Sequence, residues 1–213
     1  MNDLIITLTI IVITGIVVTF ILFNYVKNRK IKKEELEKFC LDNGYTFNMI
    51  KDSSKSVITI SKDNIFLESV MSLHLDEESD YEMFTRWISY ESDDDRPVFV
   101  IGSIPIDSDW NNLPESLKNI AIKKIKDETG QNLNPESAKI IETDSKSTFL
   151  LFDETSNLSQ KIIHKLKPQL SRWSNKHTIF IESNKDEIKL NIYNYFIENV
   201  DSLKKIFDLV DNL

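Results

Sequence analysis

The sequence has little glycine and almost no cysteine. Four glycines occur among 213 residues, at Gly15, Gly44, Gly102 and Gly130, whereas about 7% is usual in globular proteins. They stand too far apart to form a glycine-rich phosphate loop, which weakens most nucleotide-enzyme interpretations. The single cysteine, Cys40, excludes a disulfide scaffold, a cysteine-rich zinc module and an iron–sulfur site.

Spacings typical of catalysis are also missing. The three histidines, His74, His164 and His177, do not lie three or four residues apart, as a helical metal site requires. No Gly-x-Ser-x-Gly elbow occurs either. The sequence therefore predicts no catalytic residue, no metal site and no cofactor.

A long uncharged run stands near the start of the chain. Leu4–Phe23 comprises 20 residues without a charge, about 30 Å as a helix, which is the thickness of a bilayer core. No small-residue cleavage pattern follows it. The pattern predicts an uncleaved transmembrane helix over residues 1–26.

Basic residues follow this run directly, and none precedes it. They are Lys27, Arg29, Lys30, Lys32 and Lys33. The positive-inside rule then places the N-terminus outside and the rest of a single-pass chain in the cytoplasm, at the cell membrane. Each such cation near an anionic leaflet contributes about 1 kcal/mol, so the same five residues are candidates for contact with lipid headgroups.

Residues 27–43 are predicted to continue the helix as a stiff basic stalk. No proline or glycine interrupts the chain from Val17 to Asn43, and Gly44 suits the left-handed cap after the last turn. Leu36, Phe39 and Cys40 form a short apolar face that we expect to dock on the body.

The remaining body, residues 44–213, is acidic. With the five stalk cations and Asp3 set aside, 21 basic and 33 acidic side chains remain in Glu34–Leu213, a net charge of −12. Nucleic acid is therefore not an expected partner, because phosphate binding needs a basic face.

Hydrophobic periodicity divides the body into strands and helices. We predict a hairpin from Tyr45–Ile50 and Ser56–Ile60, a short helix and a loop within Ile65–Trp87, and strands at Trp87–Tyr90 and Val98–Ile104. The later strands are Ala138–Thr143, Ser147–Asp153, Thr178–Ser183 and Glu187–Tyr193.

Three amphipathic helices accompany these strands. The first runs from Pro114 to about Thr129 and has Leu117, Ile120, Ala121 and Ile125 inward; the second spans Leu158–Trp173 and contains Pro168; the third starts near Val200 and has Leu203, Ile206, Phe207, Val210 and Leu213 inward. The fold class predicted is α+β, an antiparallel sheet covered by helices on one face, in one domain.

Loop carboxylates leave an enzyme open as an alternative. Acidic runs at residues 76–80, 93–95 and 107–109 invite a hard-cation interpretation, although none has the EF-hand pattern. A membrane-tethered hydrolase or metal-dependent enzyme would use Asp76, Glu78, Asp94 or Asp109 with His74. Solvated loops explain the same residues.

The order of features resembles uncharacterised bacterial membrane-anchored proteins that are grouped as domains of unknown function. The residues that carry the resemblance are Phe39…Asn43-Gly44-Tyr45-Thr46-Phe47 after the basic stalk, Leu166…Pro168…Leu170…Trp173, and the terminal Leu203…Ile206…Leu209 helix. The resemblance implies no activity and transfers no catalytic residue.

The function favoured by the sequence is a membrane-anchored cytoplasmic binding or regulatory module without enzymatic activity. Its expected partners are the lipid bilayer and a protein of unknown identity. The aromatics Trp87, Tyr90, Phe99 and Trp110 would suit a protein-binding surface if exposed, and a core otherwise. Self-association has only the Gly15/Thr19 spacing in its favour.

Overall fold

The computed structural model describes residues 2–73, 81–94, 96, 98–104, 110–130, 137–143, 148–153, 159–173 and 176–213. In these residues the helices are α1 (Asn2–Asp42), α2 (Glu115–Thr129), α3 (Ser159–Leu170) and α4 (Val200–Val210). The strands are β1 (Thr46–Lys51), β2 (Lys55–Lys62), β3 (Ile65–Leu73), β4 (Tyr81–Ser89), β5 (Phe99–Ile104), β6 (Lys139–Glu142), β7 (Thr148–Asp153), β8 (Thr178–Ser183) and β9 (Ile188–Tyr193).

All nine strands belong to one antiparallel sheet, in the order β1-β2-β3-β4-β9-β8-β5-β7-β6. The first four strands form a meander, and the β8–β9 hairpin continues it. β5 then inserts between β8 and β7, so the hairpin β6–β7 forms the far edge. The predicted antiparallel sheet is confirmed.

Helices cover both faces of this sheet, so the prediction of helices on one face is wrong. Alternate strand residues point to opposite faces, and one set packs with α1, α3 and α4 in the larger core. We call this the inner face. The other set packs, around β5, β7 and β8, with Ile122 and Ile125 of α2, and we call it the outer face.

The prediction of a transmembrane helix at residues 1–26 is also corrected. Among the described residues, no helix has both the length and the apolar character needed to span a bilayer. The orientation derived from the positive-inside rule depended on a transmembrane helix at residues 1–26, so it loses its basis.

The predicted end and docking of the stalk are confirmed. α1 ends at Asp42, and Gly44 takes the left-handed conformation with φ +76°. Leu36 and Cys40 are buried at 2% and 0% exposure, while the described side chains from Val26 to Glu35 are exposed. Among the described side chains of α1, those that belong to the core therefore lie in its last two turns.

The segment Ile65–Trp87 does not form the predicted short helix. Its described residues belong to β3 and β4, which pair along nine residues from Ile65↔Ser89 to Leu73↔Tyr81. The expected alternation of apolar residues is hidden because two positions that face the core, Ser69 and Thr85, are polar and almost fully buried, at 0% and 1% exposure.

These two hydroxyl groups hold the segment that leads into α4. Ile197 N donates to Ser69 Oγ over 3.0 Å, the Ser69 and Thr85 hydroxyls lie 2.8 Å apart, and Thr85 Oγ1 donates to Tyr195 O over 2.8 Å. One chain of hydrogen bonds thus satisfies two backbone groups in the core, which accounts for polar residues at core-facing positions.

α2 lies directly on the sheet backbone at Gly102. A Cβ atom at that position would meet Ile125 Cγ1 at 2.5 Å, so only glycine allows this approach. The helix limits are as predicted, with Gly130 in a left-handed cap, but the predicted buried face is confirmed only for Ile125 and, in part, for Ala121. Ile122, Ile125 and Thr129 are buried, whereas Leu117 and Ile120 are exposed at 42% and 64%.

The terminal helix α4 covers the inner face, as predicted. Leu203, Ile206 and Leu209 have 0% exposure, while Phe207, Val210 and Leu213 pack at the border of the core. A capping box between Asn199 and Ser202 fixes its first turn.

Candidate binding surface

One part of the outer face carries no described helix. α2 contacts β5 and β8, and the other described helices pack on the inner face. Over the side chains of β1, β2, β3 and β4 that point to the outer face, bordered by β9, the described residues place no helix; most of these side chains are exposed or half-buried, and Ile88 is buried at 7% exposure. We call this surface the open sector.

The strand register arranges the open sector into cross-strand rows. One row is apolar and one is polar, because facing residues in an antiparallel pair lie on the same side. The apolar row consists of Ile50, Val57, Val70, Phe84 and Tyr193, and the polar row of Asn48, Thr59, Glu68, Arg86 and Asn191. Ile50 is 61% exposed, and Val57, Val70 and Phe84 are partly buried.

Arg86 lies at the centre of the polar row and is exposed. Its Nε donates to Asn191 Oδ1 over 3.2 Å, and its guanidinium carbon lies 5.0 Å from the centroid of the Phe84 ring. Glu68 faces it from β3. Asn191 and the Phe84 ring thus orient the guanidinium group. Its N–H donors other than Nε can serve a bound molecule.

Tyr193 forms the boundary between the open sector and α2. Its hydroxyl donates to Glu128 Oε2 over 2.7 Å, and its ring lies 5.5 Å from Phe84 and 6.0 Å from Phe180. Burial, followed by the bond to Glu128, raises the pKa of Tyr193 to about 12. The phenol therefore stays neutral at physiological pH and acts as a structural link.

The residues of the alternative enzyme hypothesis are not brought together in the described structure. His74, Asp76, Glu78 and Asp109 lie outside the described residues. Asp94 has a 95% exposed side chain, with Lys185 Nζ 3.9 Å away. Among the residues that are described, no three His, Cys, Asp or Glu side chains are grouped so that they could hold a metal ion.

Two further residues considered in the sequence, His164 and Cys40, lie on helices α3 and α1. His164 is exposed on α3. Cys40 is buried, and desolvation raises the pKa of its thiol to about 11, so it is not an activated nucleophile.

His177 packs against the rings of Trp173 and Tyr195 at 5.9 and 5.2 Å, and these two rings lie 4.8 Å from each other. Its Nδ1 lies 2.9 Å from Asn194 O. Burial lowers the pKa of His177, and the charges of Lys205 and Lys176 lower it further, whereas the contact with Asn194 raises it. The ring is thus a neutral packing element at neutral pH.

The predicted headgroup residues lie on the exposed part of α1. Lys27, Arg29, Lys30, Lys32 and Lys33 are all exposed, and Lys30 pairs with Glu34 across one turn at 3.8 Å. Of the aromatics, Trp87, Phe99 and Trp110 are buried in the core, and Tyr90 is 55% exposed.

The sequence analysis missed the open sector. Its strands alternate so that both faces carry apolar residues, and the sequence does not say which face a helix covers. The signals that could have found it are Glu68 and Arg86, charged residues that stand among aromatic and aliphatic ones in this segment.

The chain matches no protein-family model, and searches of curated proteins and of solved structures return no similar protein. The resemblance to membrane-anchored proteins of unknown function therefore stays a prediction, and the surface itself must carry the functional argument.

Proposed function

We propose that this protein is a non-enzymatic binding module whose open sector binds another protein. The observation that carries the proposal is the division of the outer face. α2 covers the part around β5, β7 and β8, while Val57, Val70 and Phe84 lie in a row that no described helix covers.

The composition of the open sector fits a protein partner. Aromatic residues and arginine are enriched at the centres of protein interfaces and dominate their binding energy. Here Arg86 lies over Phe84 and beside Asn191, with the apolar row next to it. The partner that fits carries a carboxylate for Arg86 and apolar side chains for Val70 and Val57.

The size of the open sector indicates a transient contact. Five strands spaced about 4.8 Å apart, each with about six residues, give a floor of roughly 400 Å². A standard interface takes about 800 Å² from each partner. Binding through this floor alone is therefore expected to be weak, and regulation by reversible association fits it better than a permanent complex.

Photocrosslinking in the cells that make the protein tests this proposal. A photoreactive amino acid replaces Val70 in the open sector, and in a matched chain it replaces Lys123, which is exposed on α2. We expect one discrete protein adduct at position 70 and none of that mass at position 123. Identical adducts at both positions, or none at position 70, would refute a binding role for the open sector.

A further inference from the structure

The inner layer of helices carries a basic surface that the net charge of the chain conceals. From Thr155 to Ile181 the sequence has five basic residues and no acidic one, although the whole chain has a net charge of −8. This stretch contains α3 and the start of β8. The basic residues are Lys161, Lys165, Lys167, Arg172 and Lys176.

The cations of α3 point to solvent. Leu166 and Leu170 are buried at 1% and 0% exposure, and they hold one side of the helix against the sheet. Lys161 and Lys165, one turn apart, are exposed on the other side, and Lys167, two residues further on, is exposed on a different flank of the helix. Arg172, at the end of α3, pairs with Asp208 Oδ2 of α4 at 2.9 Å.

A second group of cations lies where α4 begins. Lys176 precedes His177, whose ring nitrogen contacts Asn194 just before the segment that enters α4. Lys205 is exposed on α4, and the first turn of that helix accepts a hydrogen bond from Tyr195, whose ring contacts His177 at 5.2 Å. Glu198 and Asp201 are also exposed at this end and offset part of the charge.

The exposed part of α1 leaves the body at this same end. Lys204 Nζ lies 5.4 Å from the centroid of the Phe39 ring, and Phe207 stacks on Tyr45 at 5.2 Å. Tyr45 follows the end of α1 and contacts a later residue of α4 than Phe39 does, so the two helices run in the same direction and the residues before Leu36 extend past the start of α4. That part of α1 combines the cations of residues 27–33 with exposed apolar side chains, such as Phe20 at 64% and Phe23 at 65%.

We propose that the basic surface formed by Lys161, Lys165, Lys167, Lys176 and Lys205, together with the cations of α1, docks on an anionic lipid surface. Anionic lipid is the occupant that matches both observations, because a nucleic acid or an acidic protein explains the cations but not the neighbouring apolar side chains of α1. Interfacial lipid binding uses this combination, with apolar groups at the acyl boundary and cations among the headgroups. The contact requires no helix that crosses the bilayer. It lies on the opposite face of the sheet from the open sector and is independent of it.

Vesicle sedimentation of the full chain tests this surface. Vesicles of phosphatidylcholine alone are compared with vesicles that contain phosphatidylglycerol. The chain with Lys161→Gln and Lys165→Gln is compared with a matched chain with Lys123→Gln and Lys124→Gln, which loses the same charge from α2 on the other face. All four lysines are exposed, so folding should be unaffected in both chains.

The α3 pair should lower partitioning onto anionic vesicles by about 25-fold, roughly fivefold for each lysine near the surface. The α2 pair should change it less than about twofold, because charges beyond a Debye length of about 8 Å are screened. Equal effects of the two pairs would overturn the proposal. The proposal would also be overturned if the chain with Lys161→Gln and Lys165→Gln bound single-stranded DNA less well than the original chain but bound anionic vesicles equally well.

A fluorescent probe gives a second readout that does not depend on affinity. An environment-sensitive dye is attached to Lys165→Cys or to Lys124→Cys, and the buried Cys40 stays unlabelled. Anionic vesicles should increase the emission at position 165 and leave position 124 unchanged. The same response at both positions would contradict contact through α3.

Discussion

The contact between Gly102 and Ile125 decides where α2 lies and hence which part of the outer face stays open. In Gly102→Ala the new Cβ would lie 2.5 Å from Ile125 Cγ1, 2.7 Å from Cδ1 and 3.2 Å from Cγ2. Since Ile125 is 1% exposed, its side chain has no free space to move into. The strand or the helix must shift instead, at a cost of about 1–3 kcal/mol for overpacking a core.

Thermal unfolding of the purified chain, followed by far-ultraviolet circular dichroism, measures this cost. A loss of 1 kcal/mol lowers Tm by about 2–4 °C in a chain of this length, so Gly102→Ala should lower it by about 2–12 °C. Ile125→Ala alone should cost about 2–5 kcal/mol, because it leaves a cavity.

The double variant isolates the contact. In the Ile125→Ala background the three clashing atoms are gone, so adding Gly102→Ala should be neutral, or should stabilise the protein as glycine replacement does where the backbone allows it, by about 0.4–1 kcal/mol. If Gly102→Ala lowers Tm equally in both backgrounds, the glycine is needed for its own backbone and the proposed packing is wrong.

Three further predictions concern buried groups. Thr85→Val should destabilise the protein by about 1–3 kcal/mol in chemical denaturation because Tyr195 O loses its buried donor; an unchanged midpoint would contradict the hydroxyl chain. Burial lowers the pKa of His177, so its contribution to stability is present above the unfolded pKa of about 6.5 and is lost as pH falls from there towards the lower folded-state pKa. The original chain should therefore lose more stability between pH 7.5 and 5 than the His177→Gln chain does, and equal losses would refute the lowered pKa. Cys40 should stay unreactive towards a thiol reagent in the native chain and react after unfolding, since its pKa is raised to about 11; rapid native reaction would show that it is accessible.

The sequence predicted most of the β-hairpins but not β3 and β4. The hairpins β1–β2 and β8–β9 have regular alternation and polar turns, so local pattern sufficed. In β3 and β4 the core-facing Ser69 and Thr85 broke the pattern, because their hydroxyls bind a backbone segment more than 100 residues later. A contact so distant in sequence has no local signal.

The buried face of α2 and the basic surface were missed for related reasons. Apolar residues lie around much of α2, and the fit of Ile125 over Gly102 selects the face that docks; this is a tertiary preference. The net charge was taken over all of Glu34–Leu213, and this sum concealed the acid-free stretch from Thr155 to Ile181. The open sector could not be predicted, since it depends on which strands α2 leaves uncovered.

The affinity of the crosslinked partner for the Arg86→Ala chain is the most direct test of the central claim. Because Arg86→Ala also removes the bond to the buried Asn191, it should cost about 1–3 kcal/mol of stability, and affinity is therefore compared under conditions in which circular dichroism shows both chains folded. Loss of this arginine from the centre of the interface should weaken binding at least about 30-fold, the change expected of a hot spot worth about 2 kcal/mol. Lys124→Ala, on α2, should leave the affinity unchanged. Equal affinities of the Arg86→Ala, Lys124→Ala and original chains would contradict the assignment of the open sector as the binding surface.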